Sequence, residues 1–385
     1  MPSLKSGFKR FLEAAPQRLH FAAHSHHPWP DVTFDAQQQA WLDAARLADL
    51  KWDKVFGEVM PAAQKHIARQ LALPDPRTLA FAPNTHELLM RLLSCLPQPA
   101  RVLTTDGEFH SFSRQMKRLE EDGSARVTRV PVEPYETFAQ RFCEAAARGG
   151  HDLVYVSQVF FNTGYRIEDL QPLVAAVKER DTLVVVDGYH AFMAVPTDLS
   201  KLAARIFYIA GGYKYAMAGE GACFMHCPPG YAPRPRDSGW YAAFGTLAQA
   251  QTSEVPYAEG GGRFLGATFD PSGLYRFNAV QDWLQAQRVG VGAIRAHVES
   301  LQRQFLDARA QVAALKDAEL MPPDGAARGN FLALRMAGAQ ALHDRLLEAG
   351  VVVDCRADRL RIGFGIYQDS GDVDAFFRRI VKLAQ

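Results

Sequence analysis

Between residues 79 and 227 the chain alternates short unbroken apolar runs with stretches whose apolar residues recur at helical spacing. The runs predict strands over 79–82, 101–104, 153–158, 183–187, 206–210 and 222–226. Unbroken Val, Ile, Leu, Phe and Tyr, rather than strict alternation, mark strands buried on both faces, as in a mostly parallel sheet. Helices are predicted between them over 87–96, 113–121, 137–147 and 172–178. This is the α/β pattern, and it places ligands at the C-terminal ends of strands. Gly- and Pro-rich turns fill much of 228–273, and then Ile294, Val298, Leu301, Phe305 and Val312 form a stripe near helical period. The tail reads strand 331–335, helix 340–349, strands 351–354 and 360–364, and helix 372–383. The expected organisation is a large ligand-binding domain over 20–285, closed by a small α+β domain over 286–385 together with 1–19.

Composition narrows the partners more than the fold. Lys plus Arg number 43 against 42 Asp plus Glu, a formal net charge of +1. That balance gives no reason to expect a nucleic acid or an anionic membrane surface as partner. Five scattered cysteines argue against a disulfide framework and for a reducing compartment. No apolar stretch approaches the roughly 20 residues that span a bilayer, and residues 1–19 lack the apolar centre of a signal peptide. A cytoplasmic protein is expected.

The chemistry concentrates in two strand ends. Asp187 closes an apolar run in Asp187-Gly-Tyr-His190, and Lys214 follows the next run in Tyr213-Lys214-Tyr215, 27 residues after Asp187. Taken singly, such an Asp is a cap or turn former and such a Lys is solvated. Together, a carboxylate and an amine at neighbouring strand ends face one small ligand from two sides. Pyridoxal 5'-phosphate needs that arrangement: a lysine for its aldehyde and an acid that keeps its ring nitrogen protonated.

With Asp187-x-x-His190, Tyr213-Lys214-Tyr215, Gly239-Trp240 and Leu360-Arg361-Ile-Gly-Phe364 in order from about Phe21 to the end, the sequence resembles the class V group of fold-type I pyridoxal-phosphate enzymes. Within that group it is most similar to kynureninases. The resemblance implies the fold-type I transferase architecture, a homodimer with a shared active site, and an amino-acid substrate taken up as an external aldimine. It implies that Lys214 is the cofactor lysine and proton shuttle, that Asp187 meets the pyridine nitrogen, and that His190 lies near the ring. It also implies that Phe109 stacks on the cofactor face, as an electron-poor ring favours. Asn84, Thr85 and His86, opening a helix, would hold the phosphate, although Asn84 and Glu87 also read as a capping box. Tyr213 and Trp240 match further phosphate contacts, and Thr268 matches a residue that reaches the neighbouring subunit's cofactor. Arg361 would grip the substrate carboxylate.

Two departures stand out. Phe160 occupies the position where the family carries an Asn at the ring hydroxyl, with Gln158 and Asn162 as nearby substitutes. The N-terminal substrate loop, with His24, Ser25, His26 and His27, differs from that of kynureninases. Its imidazoles suit a polar or pH-sensitive substrate pocket or plain loop positions; a metal lacks matching ligands. The expected activity is therefore kynureninase-like C–C hydrolysis or class V transamination. The alternatives are a cysteine desulfurase-like β-lyase, for which Cys355 would be the nucleophile, and a protein of this fold with altered or lost catalysis. A dinucleotide dehydrogenase fails because Gly219-Glu-Gly221 lacks a full GxGxxG.

Overall fold

The computed structural model describes residues 4–246 and 253–383. Among them the strands, in chain order, are β1 (Leu19–His20), β2 (Leu79–Ala82), β3 (Ala100–Thr105), β4 (Ala125–Val130), β5 (Leu153–Ser157), β6 (Leu183–Asp187), β7 (Ile206–Gly211), β8 (Cys223–His226), β9 (Glu319–Met321), β10 (Phe331–Arg335), β11 (Val351–Val352), β12 (Asp354–Arg356) and β13 (Arg359–Gly363). Seven form the main sheet in the order β2-β8-β7-β6-β5-β3-β4. Its neighbours run parallel except at β8, which is antiparallel to both β2 and β7. Helices cover both faces, so Val184, Val185, Val186, Phe207 and Tyr208 are fully buried. That burial is why these strands read as continuous apolar runs.

The sequence pattern misses β4, whose Arg126 and Arg129 interrupt it. As an edge strand paired only with β3, it needs no apolar residue at every position. The helix Val32–Leu47 also goes unread; its buried face carries Thr33 and Asp43 rather than an apolar stripe.

A second sheet, β12-β13-β10-β9, is antiparallel and carries its own apolar core, which includes Phe305, Leu332, Phe364 and Phe376. The helices Val291–Arg309, Ala339–Glu348 and Ser370–Leu383 contribute to this core. β1 pairs in parallel with β11, and Phe21 packs in this smaller core. Leu4 and Phe8, expected with the small domain, pack instead into the larger core, so the N-terminal segment runs across both.

Candidate active site

The C-terminal ends of β3, β5 and β6, the turn after β7 and the start of the helix Thr85–Leu93 converge on one cavity of about 260 Å³. An open parallel sheet leaves room for a ligand there, because its flanking helices cover the faces and not the ends. Asn84, Thr85, His86 and Phe109 line one part of the cavity; Asp187, His190, Tyr213 and Lys214 line the other. The tertiary structure thus gathers eight of the expected residues.

Lys214 is buried, and its Nζ lies 2.7 Å from His190 Nε2 and 5.2 Å from the centre of the Phe109 ring. Burial brings its pKa down to about 7, against the opposing pull of Asp187. Burial also holds His190 well below its ordinary range, with the Lys214 charge acting in the same direction. A neutral imidazole accepts from the amine through Nε2. Its hydrogen is then on Nδ1, which is buried without a partner. Asp187 ends β6; its Oδ1 accepts from the Tyr189 N–H at 2.9 Å and its Oδ2 from the Tyr155 hydroxyl at 2.8 Å. Burial pushes its pKa up, while those two donors and Lys214 pull it back. The next residue must be glycine, since a Cβ on Gly188 would lie 2.0 Å from the Tyr208 ring.

Asn84 caps the helix Thr85–Leu93: its Oδ1 accepts from the Glu87 N–H at 3.0 Å, and its Nδ2 donates to Glu87 Oε1 at 3.3 Å. The capping role and an anion site coexist. The first N–H groups of a helix have no intrahelical partner, and Thr85 and His86 line the cavity. Phe109 precedes the helix His110–Glu121 as its N-cap residue, which sets its ring at the cavity wall.

The remaining expected residues lie elsewhere. Trp240 Nε1 donates to Thr268 Oγ1 at 3.2 Å, and the pair is solvent-facing, outside this cavity. Trp240 therefore joins Thr268 at the surface rather than meeting a ligand in its own chain. Arg361 is buried on β13 between the Asp354 carboxylate and the Phe161 carbonyl, with its Nε unpartnered. Its anionic partner is thus an aspartate of the same small sheet. His24 is wholly buried, stacked on Phe331 at 4.6 Å, with Nε2 3.7 Å from Asp354 Oδ2. Ser25 is half-buried; its N–H is bonded to the Ala22 carbonyl, and it does not line the cavity. The three loop imidazoles diverge: His26 stacks on Tyr213 and bonds Glu220, while His27 bonds the Pro28 carbonyl. Among the described residues no group of three or more His, Cys, Asp or Glu could hold a metal.

Phe160 is buried against Phe138 and Tyr165 and does not line the cavity. Gln158 does not replace the missing Asn, because it bonds Thr197 and Tyr208, and Asn162 does not line the cavity either. Sequence reasoning missed Glu108 and Ser157. Glu108 is a buried carboxyl bonded to Thr105 and Ser157, and Ser157 lines the cavity. The one available signal for Glu108 was an acidic residue in the turn four positions past a predicted strand end.

A buried amine of lowered pKa, an acid at the adjacent strand end, an aromatic wall, a helix start and the orphaned His190 Nδ1 form one donor set. This set fits pyridoxal phosphate and defines a fold-type I pyridoxal-phosphate site. The aminotransferase class-V family matches residues 46–376, and the chain belongs to that family. A probable cysteine desulfurase of Vibrio cholerae is 22% identical over 343 residues, covering 83% of this chain and 81% of the relative. The cystine C–S lyase C-DES, solved with its product cysteine persulfide, superposes with a TM-score of 0.81 at 16% identity, over 96% of this chain and 99% of its own. A cysteine desulfurase from Thermococcus onnurineus NA1 gives 0.81 at 16% identity, over 100% and 98% of the two chains. The resemblance to class V enzymes is met at the level of the family. The relatives named here act, by their names, on cysteine or cystine rather than on kynurenine.

Proposed function

We propose that the chain is a pyridoxal-phosphate-dependent lyase that removes a sulfur leaving group from the Cβ of a small amino acid, without a cysteine nucleophile of its own. The observation that carries this reading is the Lys214 amine, buried between His190 and Phe109, with no reactive thiol facing it. Cys223 lines the cavity, but it is bonded to the Tyr189 hydroxyl at 3.4 Å, and burial pushes its pKa up to about 11. Cys355 belongs to the apolar core of the small sheet, while its neighbour Asp354 pairs with Arg361. A thiolate nucleophile needs an exposed, electropositive setting, and neither cysteine has one. The named desulfurases support the substrate class, and C-DES supports release of sulfur as part of the product.

When bound, the cofactor supplies an electron sink for the substrate carbon. The chain's own residues do the rest. Asp187 holds a proton on the ring nitrogen, and the Asn84–His86 segment binds the phosphate. Phe109 would cover the ring face, and Lys214, about half neutral at pH 7, would take the α-proton and pass it to the departing sulfur. His190 accepts from that amine and so directs its lone pair. The Arg361 Nε–H, left free by Asp354 and Phe161, offers the substrate carboxylate a donor. The reading includes a homodimer in which Trp240 and Thr268 face the partner's cavity.

A second reading, hydrolytic Cβ–Cγ cleavage of a kynurenine-like compound, is favoured by the aromatic groups around the same cavity. Phe161 packs on Phe109 at 5.3 Å and on His110 at 4.8 Å, and Phe331 lies 5.5 Å from His190. Purified protein loaded with pyridoxal phosphate separates the readings. Pyruvate and a sulfur product from cystine or cysteine support the lyase, and alanine from kynurenine or 3-hydroxykynurenine supports the hydrolase. Product that forms only with an added keto acid indicates transamination. A protein that never shows a Lys214-dependent visible band overturns all three.

A further inference from the structure

Glu108 and Asp187 are two buried carboxyls at the ligand end of one sheet. Glu108 is 3% exposed and sits one residue before Phe109. Its Oε1 accepts from Thr105 Oγ1 at 2.7 Å and from the Ser157 N–H at 3.2 Å, and its Oε2 lies 2.5 Å from Ser157 Oγ. None of these partners is a cation. Ser157 ends β5 and pairs in register with Asp187, whose carboxyl has Lys214 as a nearby charge. Two like charges in one dry region oppose each other. The carboxylate beside the amine keeps its charge, and the one without a cation takes a proton. Burial, with Asp187 adding to it, pushes the Glu108 pKa up to about 8 against the downward pull of the Ser157 and Thr105 hydrogen bonds. Because Oε1 already accepts two donors, the proton belongs on Oε2, along the short contact to Ser157.

We propose that Glu108 is held protonated and donates to Ser157 Oγ, so that Ser157 turns its own hydroxyl hydrogen into the cavity as a donor to the bound cofactor. This rests on the pyridoxal-phosphate reading of the site. It gives the end of β5 a polar contact that Phe160, Gln158 and Asn162, just after it, do not provide: the first is buried in the core, the second is spent on Thr197 and Tyr208, and the third does not line the cavity. Ser157 would touch the cofactor, and Glu108 is a positioning residue that fixes which way that hydroxyl points.

Two measurements test the pair. In the cofactor-free protein at pH 6, an infrared difference between unaltered protein and Glu108→Gln should show the carbonyl stretch of a protonated carboxyl; its absence overturns the proposal. In the loaded protein, visible absorption is followed against pH. Ser157→Ala and Glu108→Ala should each move the band's pH midpoint by about one unit, the size that a lost hydrogen bond supports. Glu108→Gln, whose amide N–H still donates to Ser157, should keep the unaltered midpoint. A Ser157→Ala protein with an unchanged band, or a Glu108→Gln protein shifted as far as Glu108→Ala, overturns the proposal. Unaltered protein that takes up no cofactor removes the reading of the site and the Ser157 donor with it, and the infrared result distinguishes that failure from a wrong protonation state.

Discussion

Lys214 is where one residue's surroundings decide the chemistry. A solvated lysine is almost wholly charged at neutral pH, and a charged amine cannot attack an aldehyde. Burial brings Lys214 to about 7. The cofactor-free protein should therefore capture pyridoxal phosphate at a rate that falls about tenfold per unit below pH 7 and levels off above it. Stopped-flow absorbance from pH 5.5 to 9 reads this, and a rate still climbing at pH 9 contradicts it. Lys214→Ala should lose the visible band and about 10²–10⁴-fold in turnover, the range for a positioned acid–base group. Cys355→Ala should keep turnover within about twofold, because its thiol faces the small core; a large loss revives the desulfurase mechanism.

At the scale of elements, the helix Thr85–Leu93 serves two masters. Asn84 caps it through Glu87, and Asn84, Thr85 and His86 line the cavity. Asn84→Ala should cost about 1 kcal/mol of stability in urea unfolding and weaken cofactor affinity as well. A loss of stability with unchanged affinity would leave Asn84 a cap alone. β13 works differently: a Cβ on Gly363 would come within 2.2 Å of His24 Nδ1 and 2.9 Å of the Ala23 nitrogen. The N-terminal loop lies against this strand end only because a hydrogen stands where a side chain would be.

For the whole molecule, the small sheet meets the large domain at Phe161, a residue that lines the cavity. Arg361 reaches from β13 to the Phe161 carbonyl of the large domain and pairs with Asp354 on β12. Arg361→Gln should raise KM for the amino acid at least tenfold while leaving the bound cofactor's spectrum unchanged, as expected for lost substrate binding. Unchanged KM would reduce Arg361 to a strut between the domains. Truncating a buried arginine also takes from Asp354 its nearest cation and leaves it Arg356 at 3.7 Å, so Asp354→Asn is the matching control. Among the described residues no helix is long and apolar enough to cross a membrane.

The strand runs, their burial on both faces and the pairing of Asp187 with Lys214 were legible in the amino-acid order, because apolar periodicity and strand-end chemistry are local properties. The class V resemblance extended this to Phe109 and the Asn84 segment. Tertiary structure alone decided the partners. It buried Arg361 against Asp354, set Trp240 on Thr268, sent His24, His26 and His27 three ways, and spent Gln158 on Thr197 and Tyr208. It also brought Glu108 and Ser157, 49 positions apart, into one hydrogen bond. Such contacts join residues distant in sequence, and their strength depends on the water that packing excludes. No spacing along the chain carries that information.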